Sequence, residues 1–210
     1  MSGNGNRHGW FFDVWSPFYE STPILGRALF LLQDEAIALL DPRPGERVLD
    51  LGCGPARGSR QLVSRGARAV AADYSHRMVA RAKQLLGSDS SVVRLDAIRL
   101  PFAAESLDGV LCTNSFHHYP EPRACLAEMR RVLKPGGRLV LVDPCAESIA
   151  SRFVIHVGEG FLFGLEGVHV HSAAEWGAML RESGFREASA KRGAGLSPIR
   201  RAEVFVRARA

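Results

Sequence analysis

A short apolar run that ends in an acid and two glycines constrains this chain more than any other feature. Residues 47–54 read Arg-Val-Leu-Asp-Leu-Gly-Cys-Gly. The apolar side chains of this run are typical of a buried parallel strand. Gly52 and Gly54 lack the Cβ atoms that would hold a ligand away from the backbone. The segment therefore predicts a strand followed by a turn against which a nucleotide can lie.

The charge and glycine spacing of this turn disfavour NAD or FAD. A G-x-G-x-x-G fingerprint would need a third glycine at Arg57, and Asp50 would repel the phosphates that such a turn serves. An acid at this place suits a cofactor with a cationic end, because a carboxylate can hold an ammonium group directly or through water. S-adenosylmethionine, with its amino-acid moiety, is such a cofactor.

On these residues the chain resembles the class I methyltransferases that use S-adenosylmethionine. It is more narrowly similar to the methyltransferase type 11 group, which includes ubiquinone, menaquinone and phospholipid methylating enzymes. The resemblance covers roughly residues 10–143 and extends to Leu100-Pro101-Phe102 and to the run 113–119. Ala56 and Ala72 depart from it, since many relatives have glycine at these positions.

The apolar periodicity predicts strands that alternate with helices, hence an α/β fold with a doubly wound, mostly parallel sheet. The resemblance implies a Rossmann-like sheet of seven strands, with the last strand antiparallel and helices on both faces. Helices are predicted over 23–40, 56–64, 75–86, 122–133 and 176–183, and strands over 47–51, 67–73, 92–95, 107–113, 138–143, 185–191 and 202–207. Ser75 is expected to cap its helix, and Pro135-Gly136-Gly137 is expected to end the helix over 122–133 and break the chain just before the fifth strand.

A chain of 210 residues is long enough for one domain, so residues 1–210 are expected to form a single unit. Four parts are expected within it. They are an N-terminal helical segment over 1–45 that leads into or covers the site, a cofactor-binding core over 46–143, a substrate-side lid over 144–172, and a C-terminal helix and strand pair over 173–210.

Asp73 is the second predicted cofactor residue. It closes the second strand about twenty residues after the glycine turn, where a carboxylate can accept both ribose hydroxyls of an adenosine. The resemblance implies that Asp96 meets the adenine amino group. The full set of predicted cofactor neighbours is Asp50, Gly52, Cys53, Gly54, Asp73, Tyr74, Met78, Asp96, Ala97, Ile98, Asn114 and Ser115.

Methyl transfer is an in-line attack on a sulfonium methyl group, so it mainly needs alignment and exclusion of water. Where the acceptor must lose a proton, His117 or His118 is the best-placed base, because imidazole titrates near neutrality. A purely structural role for either histidine stays open. Tyr19 lies in a segment similar to one that closes the site in the quinone and phospholipid methylating enzymes, although a packing role there is equally compatible with the sequence.

The long segment after the fifth strand contains His156, Glu159, His169 and His171 among apolar side chains. Such a lid favours an aromatic or amphiphilic small molecule as substrate. The two histidines 169 and 171 would share one face of a strand, but no paired cysteine or acid motif completes a metal site. No metal is therefore expected, and these histidines are interpreted as surface or lid residues.

Composition excludes several classes of protein. The net charge of +5 comes from arginines scattered along the chain, which does not favour nucleic-acid binding, and no segment is apolar enough for stable membrane insertion. The polar N-terminus favours a cytoplasmic protein. The four cysteines are interpreted as packing thiols, although a helix N-terminus could lower the pKa of Cys53. A monomer or homodimer is expected.

Two other functions remain open at this point. The chain could be a non-catalytic module that binds S-adenosylmethionine or activates a partner, because such folds can lose their chemistry. It could also be a nicotinamide oxidoreductase, although that reading lacks the third glycine. The leading prediction is methyl transfer from S-adenosylmethionine, with S-adenosylhomocysteine as product, to a quinone precursor, a lipid head group or a specialised metabolite.

Overall fold

The computed structural model describes residues 23–87, 91–147, 168–195 and 198–210, with side chains from Leu31 onward except those of residues 198 and 199. Its helices are α1 (Pro23–Leu40), α2 (Arg57–Ser64), α3 (His76–Leu86), α4 (Pro122–Val132), α5 (Ala173–Glu182) and α6 (Pro198–Arg201), with a 3-10 turn at Phe116–His118. Its strands are β1 (Arg47–Leu51), β2 (Arg68–Asp73), β3 (Ser91–Arg94), β4 (Leu107–Thr113), β5 (Leu133–Pro144), β6 (Arg186–Arg192) and β7 (Glu203–Arg209).

The strands form one sheet in the order β3-β2-β1-β4-β5-β7-β6. The pairs from β3 to β5 are parallel, whereas β7 is antiparallel to both β5 and β6. This order confirms the predicted Rossmann-like sheet of seven strands with an antiparallel last strand. The strand order reverses between β1 and β4, and in such sheets the ligand crevice lies outside the carboxyl ends of the strands at this point.

Each face of the sheet carries its own apolar layer. One layer packs α4 and α5 against the sheet and contains Phe116 and Trp176, whose ring centroids lie 4.8 Å apart. The other layer packs α1 and α2 on the opposite face, through side chains such as Ile37 and Leu62. Both layers hold the central strands rigid on either side of the crevice.

The predicted break before the fifth strand is wrong. β5 begins at Leu133, so the run Pro135-Gly136-Gly137 lies inside the strand rather than before it. The register against β4 shifts there, from Leu107 opposite Leu133 to Gly109 opposite Arg138. The extra residues form a bulge, and bulges of this kind tolerate proline and glycine.

The C-terminal helix begins three residues earlier than predicted, at Ala173 rather than Trp176. The Ser172 hydroxyl accepts a hydrogen bond from the Glu175 backbone N–H, and the Glu175 carboxylate accepts one from the Ser172 backbone N–H. This capping box is a standard helix start. The predicted cap at Ser75 is confirmed, because its hydroxyl accepts from the Met78 N–H at 3.2 Å.

Some predictions fall outside the described residues. They concern Tyr19 and the other residues of 1–22, and His156 and Glu159 within 148–167. In the described part of the chain, no helix has both the length and the apolar character needed to cross a bilayer.

Candidate active site

The glycine turn after β1 is fastened to the end of β2. The N–H groups of Gly52 and Cys53 both donate to the Ala72 carbonyl, at 2.8 and 3.0 Å. The Gly54 N–H donates to the Asp73 carboxylate at 2.9 Å, and the Ser75 N–H donates to the other Asp73 oxygen at 2.9 Å. The structure therefore brings Asp73 directly against the turn, as the spacing in the sequence predicts.

Asp50 lies beneath the turn rather than on its surface. Its carboxyl group accepts a hydrogen bond from the Ser59 hydroxyl at 2.6 Å and is 1% exposed. Burial raises the pKa of Asp50 to about 6, the Ser59 hydrogen bonds oppose this rise, and the charge of Asp73 adds a little to it. A positive charge close to the turn would stabilise the ionised form.

A side chain from α1, that of Gln33, lies near this acid. The Gln33 amide donates to the Thr113 hydroxyl at 3.2 Å, which joins α1 to the carboxyl end of β4. A Cβ atom on Gly58 would lie 2.8 Å from the Gln33 amide nitrogen and 3.1 Å from an Asp50 carboxylate oxygen. Gly58 thus leaves the room in which Gln33 and Asp50 approach each other. Sequence reasoning predicted Asp50 but missed Gln33, and the glycine inside a short helix was the available signal.

The turns after β1 and β4 interlock at Gly52. A Cβ atom on this residue would lie 1.9 Å from the Ser115 hydroxyl oxygen and 3.0 Å from the Tyr119 hydroxyl. Ser115 itself donates to Tyr119 at 3.2 Å, and Asn114 adopts a left-handed backbone with a φ of 49°. The predicted cofactor neighbour Ser115 is therefore adjacent to the glycine turn, and Asn114 directly precedes it in the sequence.

The suggestion that the pKa of Cys53 could be lowered is wrong. Burial raises the pKa of this thiol well above its ordinary value, and the nearby charges of Asp50 and Asp73 raise it further. These effects outweigh hydrogen bonding at the turn. Cys53 is a packing thiol, in agreement with the interpretation that the sequence favoured.

The predicted neighbours of the adenosine lie along the ends of β2 and β3. Asp96 is exposed and accepts a hydrogen bond from the Ile98 N–H at 3.2 Å, while Ala97 is buried. Tyr74 is 38% exposed and its ring lies beside the Arg94 guanidinium. Met78 is buried in α3. At this end of the crevice Tyr74 and Asp96 are thus exposed, whereas Met78 and Ala97 are buried.

His117 and an acid that the sequence did not reveal form a buried pair. The His117 Nδ1 lies 2.9 Å from an Asp143 carboxylate oxygen, and the two residues are 6% and 1% exposed. The His169 N–H donates to the His117 carbonyl at 2.7 Å, so the returning chain packs against the pair. The His118 ring lies 3.8 Å from that of His117, centroid to centroid.

Glu203, at the start of β7, is a second buried acid in this region. Its pKa is raised to about 8, mainly by burial and also by the charge of Asp143, whereas His117 lowers it. One carboxyl oxygen of Glu203 has no hydrogen-bond partner among the described residues. Glu203 is therefore mostly protonated at neutral pH. Glu203 lies in no sequence motif, and the sequence analysis did not predict it as a site residue.

His169 and His171 lie where the chain returns to the sheet. His171 forms an isolated parallel β-bridge with Cys145, and its ring packs edge-on against that of Trp176. Within the described ranges, no three His, Cys, Asp or Glu side chains are grouped closely enough to hold a metal ion. A recess of about 430 Å³ lies between α4 and α5, and among its lining residues are Glu121, His171 and Met179.

Comparisons with known proteins agree with this geometry. Residues 49–141 match the family model described as a methyltransferase domain. Over 104 residues the chain is 42% identical to the demethylmenaquinone methyltransferase of Clavibacter sepedonicus, a match that covers 49% of this chain and 42% of that relative. The match thus spans less than half the length of the relative.

Two solved structures share the fold over nearly the whole chain. One is the partner of the Trm112 methyltransferase activator in a complex from Haloferax volcanii, with a TM-score of 0.81, 22% identity and 95% of each chain covered. The other is an S-adenosylmethionine-dependent methyltransferase of Thermotoga maritima, with a TM-score of 0.77, 22% identity and coverage of 95% of this chain and 98% of that one.

The family match lies on the strands and turns that form the crevice, and the likeness of fold covers 95% of the chain. Residues 49–141 therefore match the model of the methyltransferase domain family, and the chain shares its fold with the two solved structures.

Proposed function

We propose that this chain transfers a methyl group from S-adenosylmethionine to a small molecule. The observation that carries the proposal is the joining of Asp73 to the glycine turn through the Gly54 N–H at 2.9 Å. This contact places a carboxylate beside a stretch of bare backbone. The family match over residues 49–141 supports the same function.

The residues at the crevice fit such a cofactor. A Cβ atom on Gly54 would meet nothing within 4 Å, so the backbone there is open to a ligand. Asp73 would accept the ribose hydroxyls, and Asp96 with Ala97 and Ile98 would surround the adenine. Asp50 would stabilise the ammonium end from beneath the turn. The remaining predicted contacts, Gly52, Cys53, Tyr74, Met78, Asn114 and Ser115, would line the same groove.

The bound cofactor would supply the methyl group on a cationic sulfur. The chain's part is to align an acceptor and to exclude water. In the neutral tautomer that Asp143 favours, Nδ1 of His117 carries the proton, so Nε2 is the basic nitrogen. We assign His117 as the base for an acceptor that must lose a proton. His118 and Tyr19 remain secondary candidates for contact with the acceptor.

The acceptor that we favour is a reduced quinone precursor. The support is the likeness of half of the chain to a demethylmenaquinone methyltransferase. A phenolic hydroxyl of such an acceptor would offer its proton to His117. A lipid head group or a specialised metabolite is the next class to test, and a protein that binds S-adenosylmethionine without turnover is the competing function.

The direct test is transfer of labelled methyl from S-adenosylmethionine to a panel that begins with reduced naphthoquinones. His117→Ala should lower kcat by about 10²-fold or more. It should leave the dissociation constant of the cofactor unchanged, because His117 lies outside the groove proposed for it.

His169→Ala is the matched control, since only the backbone of His169 contacts His117 in the described contacts. If His117→Ala kept the turnover of the wild type, His117 would not be the base. Cofactor binding without transfer to any acceptor would favour the non-catalytic function.

A further inference from the structure

The charges of this chain are unevenly distributed. Residues 57–87, which contain α2, β2 and α3, have seven arginines and lysines and one acid, whereas the whole chain has a net charge of +5. The one acid is Asp73, which is held at the glycine turn. This segment therefore carries the positive charge of the molecule. We call the outer surface of α2 and α3 the basic face.

The geometry brings these cations to one side of the molecule. α2 and α3 pack against each other and both lie beside β2. Buried side chains of the two helices, such as Leu62 and Ala82, pack with residues of the sheet. Arg60 on α2, Arg65 directly after α2 and Lys83 on α3 are all exposed. None of these three makes a side-chain ion pair with another residue in the described ranges.

The same face also exposes apolar side chains. The large hydrophobic residues that are most exposed among those described are Leu31, Val63, Tyr74 and Leu85, at 69, 50, 38 and 40%. Val63 lies on α2, Leu85 on α3, and Tyr74 just before α3. Leu31 is on α1, which packs against α2. Exposed apolar groups and unpaired cations are thus found on one surface.

We infer that the basic face docks on the surface of an anionic lipid bilayer. Cations on such a surface are drawn to negatively charged head groups, and aliphatic side chains between them enter the interfacial region. Binding to single-stranded nucleic acid would call for aromatic side chains on which bases stack. Only Tyr74 is aromatic here, and its ring already lies beside Arg94.

The inference does not depend on which molecule accepts the methyl group. Tyr74 follows Asp73 in the sequence, so the basic face is continuous with the adenosine end of the crevice. A chain docked in this way would remain in contact with the membrane while the crevice is occupied. Peripheral docking of this kind needs no membrane-spanning helix.

The test is co-sedimentation of the full chain with phosphatidylcholine vesicles that contain or lack phosphatidylglycerol. Binding is expected only with phosphatidylglycerol, and it should weaken as salt is raised, because salt screens the exposed charges. The double variant Arg60→Glu, Lys83→Glu should lower the partition coefficient by about fivefold for each cation removed.

The matched control is Arg186→Glu, Arg207→Glu, which changes the net charge equally. Both of these arginines are exposed and lie on β6 and β7, at the opposite edge of the sheet. The partition coefficient of this control variant on anionic vesicles should stay close to that of the wild type. Equal loss in both variants would show attraction by net charge alone and would overturn the inference.

Binding to transfer RNA but not to anionic vesicles would replace the lipid with a nucleic acid and would also overturn the inference. Cofactor titration of each variant separates this test from that of the proposed function. The charge-reversed chains should bind S-adenosylmethionine as the wild type does, because none of the four substituted residues lies in the groove.

Discussion

At the scale of single residues, the most informative groups are carboxyls that the fold buries without full compensation. Asp50 and Glu203 are 1 and 6% exposed, and both have a pKa raised by burial. A carboxyl with a raised pKa favours the protonated form in the folded state, so each lowers the stability of the fold at neutral pH. Buried acids of this kind are common at functional sites.

Glu203→Gln tests this account of buried charge. The folded chain holds the Glu203 proton up to about pH 8, whereas the unfolded chain releases it near the ordinary value of 4.5. The free energy of unfolding of the wild type should therefore fall as pH rises through this window, by up to about 1.4 kcal/mol per pH unit from this group. The variant lacks that contribution and should gain stability over the wild type as pH rises.

Urea unfolding of both chains between pH 5 and pH 8 is the measurement, because Glu203 affects stability between its pKa of 4.5 in the unfolded chain and about 8 in the folded chain. Glu105→Gln is the control, because Glu105 is exposed at the surface. A stability difference between Glu203→Gln and the wild type that does not change with pH would contradict the burial of a titrating acid.

Gly52→Ala tests the interlocked turns. The added methyl would lie 1.9 Å from the Ser115 hydroxyl oxygen, and the backbone has a φ of 71°. Gly45→Ala separates these two effects, since Gly45 has a φ of 84° but no atom within 4 Å of the added methyl. The strain of an alanine in a left-handed backbone should by itself lower the free energy of unfolding by about 1–2 kcal/mol, which is the loss expected for Gly45→Ala. Gly52→Ala should lower it clearly more, because the added methyl also clashes with Ser115.

The measurement is again the free energy of unfolding of each variant. Ser115→Gly removes the atoms that clash, so it should restore part of the stability when combined with Gly52→Ala. Equal losses for Gly45→Ala and Gly52→Ala would mean that the two turns do not touch as the structure has them.

At the scale of elements, the start of α5 depends on a capping box. Ser172→Ala removes the hydroxyl that accepts from the Glu175 N–H. The expected cost is about 1 kcal/mol in the free energy of unfolding, because one N–H at the helix start then lacks a partner. The affinity for the cofactor should not change, since α5 lies on the other face from the glycine turn.

Ser64→Ala is the control for Ser172→Ala. Its hydroxyl donates to the Gln61 carbonyl within the last turn of α2 and is exposed, so its loss should cost little. Thermal unfolding of the two variants side by side decides the matter. A loss in Ser172→Ala no larger than that in Ser64→Ala would show that the capping box contributes nothing.

Some of the helices and strands were predicted correctly from sequence patterns, and others were not. The apolar run of β1 and the cap at Ser75 act over a few residues, so periodicity and residue type predicted them correctly. The run Pro135-Gly136-Gly137 misled, because proline and glycine end most strands but also form bulges. Only the pairing of β5 with β4, set by the whole sheet, decides between these outcomes.

At the scale of the whole molecule, the fold brings together groups that are distant in sequence. Gln33 and Thr113 are 80 residues apart, and His117 and Asp143 are 26 apart. No spacing or motif marks such pairs, which explains why Gln33, Asp143 and Glu203 escaped the sequence analysis. Asp73 was found because the βαβ unit fixes its distance from the glycine turn. The contact between Asp73 and the glycine turn was thus predictable from sequence, whereas the pairing of His117 with Asp143 was not.

The central claim is that the groove beside Asp73 binds an adenosyl amino acid. Isothermal titration with S-adenosylmethionine, S-adenosylhomocysteine and NAD tests it most directly. We predict binding of the two adenosyl compounds at about micromolar dissociation constants, near −8 kcal/mol, and none of NAD. Asp73→Ala should weaken that binding about tenfold or more. Binding of NAD, absence of adenosyl binding, or unchanged affinity in Asp73→Ala would contradict the account.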